Sequence, residues 1–418
     1  MILPGIAPPR LLPCAPVLPA LLAVALLAAG AVRAQTSDAV QDLYRDALRS
    51  VAEGQRDDAT ESLRRVIEQE PLHAGAWLDL ALVQCDLGHL AEAERLFQAI
   101  EQRFAPPPEI RALIAQARAG GCAGWQPRAL YSFSAGRGIS QNVNQGATSA
   151  TYQPVGGDGG LELLPEFLPR HDQYTIVSAD YMRDLTPNGT QGFVQFQDRR
   201  HDSLHAYDST SLFAGIDTPW RYRRWQLRTT ASLGYATLGS QLYQRQVQVQ
   251  AQLTPPVPLP KALQLSLHTS LTHVDYLTLD NFRGTTGELR GQLTWRSGTR
   301  YASASAGLLD DRAAEDRPGG NRHGTLLSLQ YRLLLPADST GELGYTRQAW
   351  RSATAYAPGL IDETRRQTTH TLRATYTYPL SKNQNLLLEA RRIHNQENIS
   401  LFQYDDSQLQ VSWQWLSP

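Results

Sequence analysis

Few residues of this chain have the types and spacing that chemistry requires. His201, Asp202 and His205 bring two imidazoles and a carboxylate together, and such groups bind metal ions or transfer protons. No H-E-x-x-H, G-x-S-x-G or P-loop sequence accompanies them. We interpret the three residues as part of a polar loop or channel lining. We therefore expect a protein that is not an enzyme and needs no cofactor or catalytic metal.

Residues 1–34 predict a secretory signal peptide. Arg10 precedes an almost purely Leu, Ala and Val run from Val17 to Ala29, and Val32-Arg33-Ala34 fits a small-x-small cleavage site. No later segment reaches the ~18 apolar residues that a spanning helix needs. We therefore expect an exported protein that enters a membrane only through β-strands.

Two cysteines remain after the predicted cleavage, Cys85 and Cys122. Both would face an oxidising compartment, where a disulfide persists. We predict that they form a disulfide, which would be excluded if their Cα atoms lay more than ~7 Å apart.

Residues 125–418 alternate apolar and polar side chains, which predicts β-strands. Trp225, Leu227 and Leu233 share one face of a strand, whereas Gln226 and Arg228 share the other. The pattern recurs with a face rich in glutamine and arginine and with aromatic residues near strand ends, as is typical of a transmembrane β-barrel. We count about 14 strands. Glu162 to Leu168 is a further apolar stretch, so 14 and 16 strands both stay open.

Alternation places a set of charged side chains on the inward face of this barrel. They either hold the lumen by mutual ion pairs or form a lining that contacts a passing chain. The set is Arg228, Glu288, Arg290, Arg296 and Arg373.

Residues 35–121 predict a short helical repeat module. Gly54, Ala59, Leu63 and Val66 recur as Gly88, Ala93, Phe97 and Ile100 at one constant spacing, which is the tetratricopeptide period. A third helix begins at Pro108 and ends at Gly120-Gly121, and we interpret it as a cap. The fold class is thus α+β multidomain, with a short all-α module before an antiparallel transmembrane barrel.

One side of the repeats shows an apolar stripe. This stripe either holds an extended segment of a client or packs against the barrel. Its residues are Tyr44, Leu48, Val51, Leu78 and Leu82.

The order of these parts resembles the surface lipoprotein assembly modulator family of Gram-negative outer membranes. The segment Gly138-Ile139-Ser140-Gln141-Asn142-Val143-Asn144 is similar to a Gly-x-Asp-Ser-Asn-Val-Asn segment early in such barrels, with Ser140-Gln141 in place of Asp-Ser. The resemblance implies passage of a lipoprotein or related client to the cell surface. It also implies that the module lies in the periplasm and engages the client or its chaperone.

Exopolysaccharide exporters, which also join such repeats to a barrel, are the alternative. A sugar-polymer channel should line its lumen with aromatic and acidic residues, whereas glutamine, serine, threonine and arginine dominate here. The expected partners are the outer membrane, the barrel-assembly machinery and a protein client. The net charge of −1 predicts no nucleic-acid partner.

Overall fold

The computed structural model describes residues 40–122, 126–152, 160–222 and 224–417, so the predicted signal peptide lies outside the described residues. The chain divides between residues 124 and 125 into two compact units. Among the described helices, none is both long and apolar enough to cross a membrane.

The first unit consists of helices. They are α1 (40–52), α2 (Arg56–Gln69), α3 (Ala74–Asp86), α4 (Leu90–Phe104) and α5 (Pro108–Ala119). Gly54 and Gly88 connect the helices of each pair at φ values of +76° and +78°, which glycine adopts without steric cost. Leu63 and Phe97 are almost completely buried in one shared core, as the repeat period predicts.

The cap helix α5 repeats the first helix of a repeat. Ile114 lies one repeat length after Leu80, and both side chains are buried in the same core. Pro108 occupies the first turn of α5, where its missing N–H costs nothing. The unit thus consists of the two predicted repeats, α1–α2 and α3–α4, followed by the predicted cap helix α5.

The second unit is an antiparallel β-barrel. The strands in chain order are β1 (Ala129–Ser140), β2 (Thr151–Tyr152), β3 (Leu161–Glu162), β4 (Asp172–Asp184), β5 (Gln191–His201), β6 (Ser209–Tyr222), β7 (Trp225–Leu238), β8 (Gln241–Thr254), β9 (Leu263–Tyr276), β10 (Gly284–Ser297), β11 (Arg300–Ala313), β12 (Arg322–Leu334), β13 (Thr340–Ala357), β14 (Ile361–Ser381), β15 (Gln384–Glu397) and β16 (Tyr404–Leu416). All except β2 and β3 form the barrel; each pairs with its neighbours in order, and β1 pairs with β16 to close it. Closure leaves no unpaired edge, which is what a strand protein in lipid requires.

The barrel that the structure describes has 14 strands, because the apolar stretch Glu162 to Leu168 adds none. That stretch contributes to β3, which pairs only with β2, and to a short 3-10 turn, Pro165–Phe167. All three lie in the connection between β1 and β4, outside the barrel wall.

Strand β14 begins at Ile361 and, at 21 residues, is the longest strand of the barrel that the structure describes. Its first part pairs with the end of β13 in a hairpin that extends past the neighbouring strands. Arg365, Arg366 and Gln367 lie in this extension. This extension has no lipid on its outer side and therefore needs no apolar face. The alternation of apolar and polar residues consequently ends there in the sequence.

The outward face of the barrel is apolar and ringed by aromatic side chains near one end. Directly paired residues share a face, so the register assigns every outward side chain. The outward aromatic residues near the end that holds both barrel termini include Tyr131, Phe133, Tyr181, Trp220, Tyr222, Trp225, Trp295, Tyr331, Tyr376, Tyr378, Trp413 and Trp415. An apolar band with such a girdle around a polar lumen places this barrel in the outer membrane.

The connections orient the barrel. At the end with the termini, residues 298–299 and 382–383 are tight turns, whereas the connection from β1 to β4 at the other end extends over residues 141–171. Short turns face the periplasm and long loops face the cell surface. The chain therefore enters the barrel from the periplasmic side.

Candidate functional sites in the barrel lumen and the helical module

All five predicted lumen residues lie on the inward face. Arg228 is 3.2 Å from Asp217, Glu288 is 3.2 Å from Arg290, and Arg373 is 3.2 Å from Glu342. Arg296 instead lies over the ring of Tyr301, with 5.5 Å between its guanidinium carbon and the ring centroid. Every predicted arginine thus has a partner along the wall.

The structure brings three of these residues together. Arg228, Glu288 and Arg290 line one polar recess of about 280 Å³, together with glutamines of β8 and with His268. Arg373 lies in a separate recess beside Arg391, and Arg296 lines neither of these recesses. The set is therefore distributed along the lumen and does not form one site.

Sequence reasoning missed the acidic partners. Glu342 binds both Arg373 and Arg332, with the Arg332 contact at 2.6 Å, and Asp217 binds Arg228. Alternation along β13 and β6 assigns both carboxylates to the inward face, so the sequence alone predicts that they point into the lumen. Which arginine each would meet depends on the register between strands, which the sequence does not show.

Aromatic residues of the lumen contact cross-strand glycines. Tyr174 covers Gly138, and a Cβ built on Gly138 would lie 2.4 Å from the tyrosine ring. Three further direct pairs repeat this arrangement: Phe193 on Gly215, Phe213 on Gly234 and Trp350 on Gly324. These rings fill the space that glycine leaves in the wall.

The segment Ser140 to Asn144 fastens the closing seam of the barrel. Asp406 of β16 accepts hydrogen bonds from the Ser140 hydroxyl at 3.0 Å and from the backbone N–H groups of Gln141 and Asn142. The buried Asn142 side chain binds both polar backbone atoms of Gly146 and the carbonyl of Asp405. The motif that carried the family resemblance is thus anchored to β16.

The surface loops share a small apolar core. Tyr152, Ile361 and Ile399 are buried together, from the β1–β4 connection, the β13–β14 hairpin and the β15–β16 connection. Beside them Arg365 pairs with the completely buried carboxylate of Glu397 at 2.6 Å and lies 4.4 Å from the ring of Phe402. These contacts brace the extended hairpin at the surface end of the barrel.

In the helical module, α1 and α3 lie side by side and carry the predicted stripe. The Tyr44 hydroxyl donates to Asp79 at 2.5 Å across the two helices. Leu48 and Val51 are 38% and 37% exposed, large fractions for aliphatic side chains beside a core. Leu78, Leu82 and Tyr44 are half-buried and pack on the module core.

At the polar end of this stripe, the pKa values of the Tyr44 hydroxyl and the Asp79 carboxyl are both raised. Burial, and then the hydrogen bond to Asp79, raise the pKa of the Tyr44 hydroxyl. Burial raises the pKa of the Asp79 carboxyl, while the hydrogen bond from Tyr44 opposes the rise. The pair therefore forms a polar boundary to an otherwise apolar surface.

A disulfide joins Cys85 at the end of α3 to Cys122 beyond α5. Their Cα atoms are 4.6 Å apart, and their sequence positions differ by 37. The bridge fixes the cap helix against the second repeat.

The cluster of His201, Asp202 and His205 does not converge on one point. His201 and His205 each lie 3.5 Å from Asp208, but Asp202 is 2.7 Å from Arg137. Over the part of the chain that the structure describes, no group of three or more His, Cys, Asp or Glu side chains could hold a metal ion.

Comparison with known proteins gives a match for the helical module. Residues 50–117 match the family model of the tetratricopeptide repeat. No curated protein sequence matches the chain.

Several solved structures are similar to part of the chain. The anion-selective porin from Comamonas acidovorans is 9% identical, with 70% of this chain and 100% of that chain covered and a TM-score of 0.37. The outer membrane channel DcaP of Acinetobacter baumannii is 11% identical, with coverage of 70% and 97% and a TM-score of 0.39. Residues 50–117 are therefore similar to tetratricopeptide repeats on the family match alone.

Proposed function

We propose that this outer-membrane barrel passes a protein client, a lipoprotein or a related exported chain, to the cell surface. In this proposal the tetratricopeptide module binds the client, or the chaperone that carries it, in the periplasm. The observation that carries the proposal is the apolar stripe of α1 and α3, whose exposed Leu48 and Val51 suit an extended apolar segment.

The lumen supports a protein client more than a sugar polymer. Sugar rings stack on aromatic faces, but arginines cover two of the lumen rings: Arg199 lies 4.3 Å from the ring centroid of Tyr174, and Arg322 lies 4.9 Å from that of Trp350. The remaining wall presents amide and hydroxyl groups with arginines already bound to acidic neighbours. Such a lining offers hydrogen bonds to a passing backbone without strong net charge.

The proposal is tested on the stripe. A Leu48→Asp/Leu82→Asp variant should lower the amount of lipoprotein that surface proteolysis of whole cells can reach, by about tenfold or more, because two buried anions in the contact cost several kcal/mol. The matched control is Leu90→Asp, which alters an exposed leucine of α4 that is 56% exposed and off the stripe. Barrel abundance must be equal in all strains.

Photo-crosslinking identifies the class of the client. A benzophenone amino acid at Leu82 should form an adduct with an exported lipoprotein or its chaperone, and the same lipoprotein should accumulate inside cells of the stripe variant. Adducts that carry only glycan, with surface polysaccharide lost from the stripe variant, would replace the proposal by polysaccharide export.

A further inference from the structure

The outer wall of the barrel contains a trough along β11. The outward side chains Ala302, Ala304 and Ala306 are small, and leucines of β10 and β12 rise on both sides. The flanking leucines are Leu289, Leu293, Leu327 and Leu329, which are 58%, 42%, 38% and 44% exposed.

The trough consists of two adjoining hollows of apolar character. The hollow towards the periplasm, about 410 Å³, is lined by Ala302, Ala304 and Tyr331, and the hollow towards the surface, about 660 Å³, by Ala306, Gly291 and others. From Ala302 to Leu308 the strand rises about 20 Å. This length exceeds the ~15 Å half-thickness of a hydrocarbon core, so one extended acyl chain fits along it.

The end of the trough near the cell surface is positively charged. Arg347 lines the upper hollow and has no ion-pair or hydrogen-bond partner among the described residues. Arg312 and His323 lie just above and share one carboxylate, Asp310, at 2.9 and 2.8 Å. Along the outward faces of β10 to β13, Asp310 is the one carboxylate in the described residues, so positive charge is in excess.

An apolar trough that ends at unpaired positive charge matches a lipid with an anionic head. The charged end lies towards the long loops, and the outer leaflet on that side consists of lipid A, whose sugars carry phosphate. A guanidinium binds phosphate with charge-assisted hydrogen bonds. We infer that the β11 trough is a binding site for one acyl chain of lipid A, with a lipid A phosphate bound by Arg347.

The test uses the full-length protein, delipidated in detergent, with diphosphorylated lipid A as the probe in native mass spectrometry. A one-to-one adduct is expected. Arg347→Gln should weaken it at least about fivefold, because a charge-assisted contact is lost. Arg245→Gln is the matched control, since Arg245 of β8 also points outward and lies away from the trough. Equal binding of dephosphorylated lipid A, or no effect of Arg347→Gln, would overturn the inference.

Filling the trough gives an independent test. Ala306→Leu should abolish the adduct, whereas Ala231→Leu, on the outward face of β7, should not. If leucine at position 306 impairs assembly of the barrel, Ala304→Val serves the same purpose. Heat-dependent gel mobility reports whether each variant assembles. If Ala306→Leu instead changes the oligomeric state and leaves lipid binding intact, the trough is a contact between two copies of this chain and the lipid site is refuted.

Discussion

At the scale of single residues, this barrel has positions that require one particular residue, either a specific side chain or a glycine without one. Gly138 is such a place, because the ring of Tyr174 occupies the position of its missing Cβ. Tyr174 cannot move away easily, since Arg199 covers it at 4.3 Å and its hydroxyl donates to Gln410. Asp406 is another, because three donors of the closing seam converge on one of its oxygens.

Gly138→Ala should therefore lower the free energy of unfolding of the barrel by about 1–3 kcal/mol, as overpacking does. Urea unfolding followed by tryptophan fluorescence measures the change. Gly344→Ala is the control, because a Cβ there would approach nothing closer than 4.0 Å. Equal stability of the two variants would show that Tyr174 relaxes without cost.

Asp406→Asn should weaken the seam between β1 and β16 by about 1.5–3 kcal/mol, because charge-assisted bonds to a buried carboxylate are lost. Asp405→Asn removes a neighbouring carboxylate that points outward and bonds His394 at a partly exposed site, so its effect should be small. Hydrogen exchange of the β1 and β16 amides should rise in the first variant alone. Unchanged exchange would contradict the anchoring role of Asp406.

At the scale of elements, the two faces of each strand meet opposite environments. In β16, Leu409, Val411 and Trp413 point outward, while Gln408 and Gln410 point into the lumen. Outward exposure of apolar groups, such as 45% for Val411, is stable only because hydrocarbon surrounds the barrel.

Val411→Arg should therefore cost up to about 2–4 kcal/mol and lower the fraction of assembled barrel, since the added charge would face lipid beside the outward Arg137, its direct partner across the seam. Gln408→Arg puts the same side chain into the lumen near Asp406 and should be mild. Folding into lipid vesicles, read by gel mobility before and after heating, measures both. Similar losses for the two variants would mean that the facing of β16 is wrong.

At the scale of the whole molecule, the two units stabilise themselves by different means. The barrel closes its hydrogen-bond ladder and uses lipid as the partner of its apolar face. The module has only two repeats and a cap around one small core, which is few for a solenoid. The disulfide from Cys85 to Cys122 compensates by restricting the unfolded chain.

Reduction of this disulfide, or Cys122→Ser, should destabilise the module by about 2–4 kcal/mol and leave the barrel unaffected. Far-ultraviolet circular dichroism, followed in its helical band, should show a lower melting temperature for the full-length protein. Cys85→Ser and the double variant should match the single variant, because all remove the same bridge. A lower melting temperature in the double variant than in the single variants would show that the cysteine side chains stabilise the module apart from the bridge.

The sequence by itself determined the two units, the count near 14 and which side chains face lipid or lumen. These features follow from the tetratricopeptide period and from the alternation along strands, which are local patterns that burial imposes on every repeat or strand. The paired cysteines were readable for a similar reason, because Cys85 and Cys122 alone remain after export.

Only the tertiary structure decided which residues meet. The pairing of Arg373 with Glu342, the cover of Tyr174 on Gly138 and the trough along β11 depend on strand register and barrel curvature. The same is true of the extension of β14, where the hairpin leaves the membrane and its alternation ends. Register is set by contacts between strands far apart in the chain, so no local pattern records it.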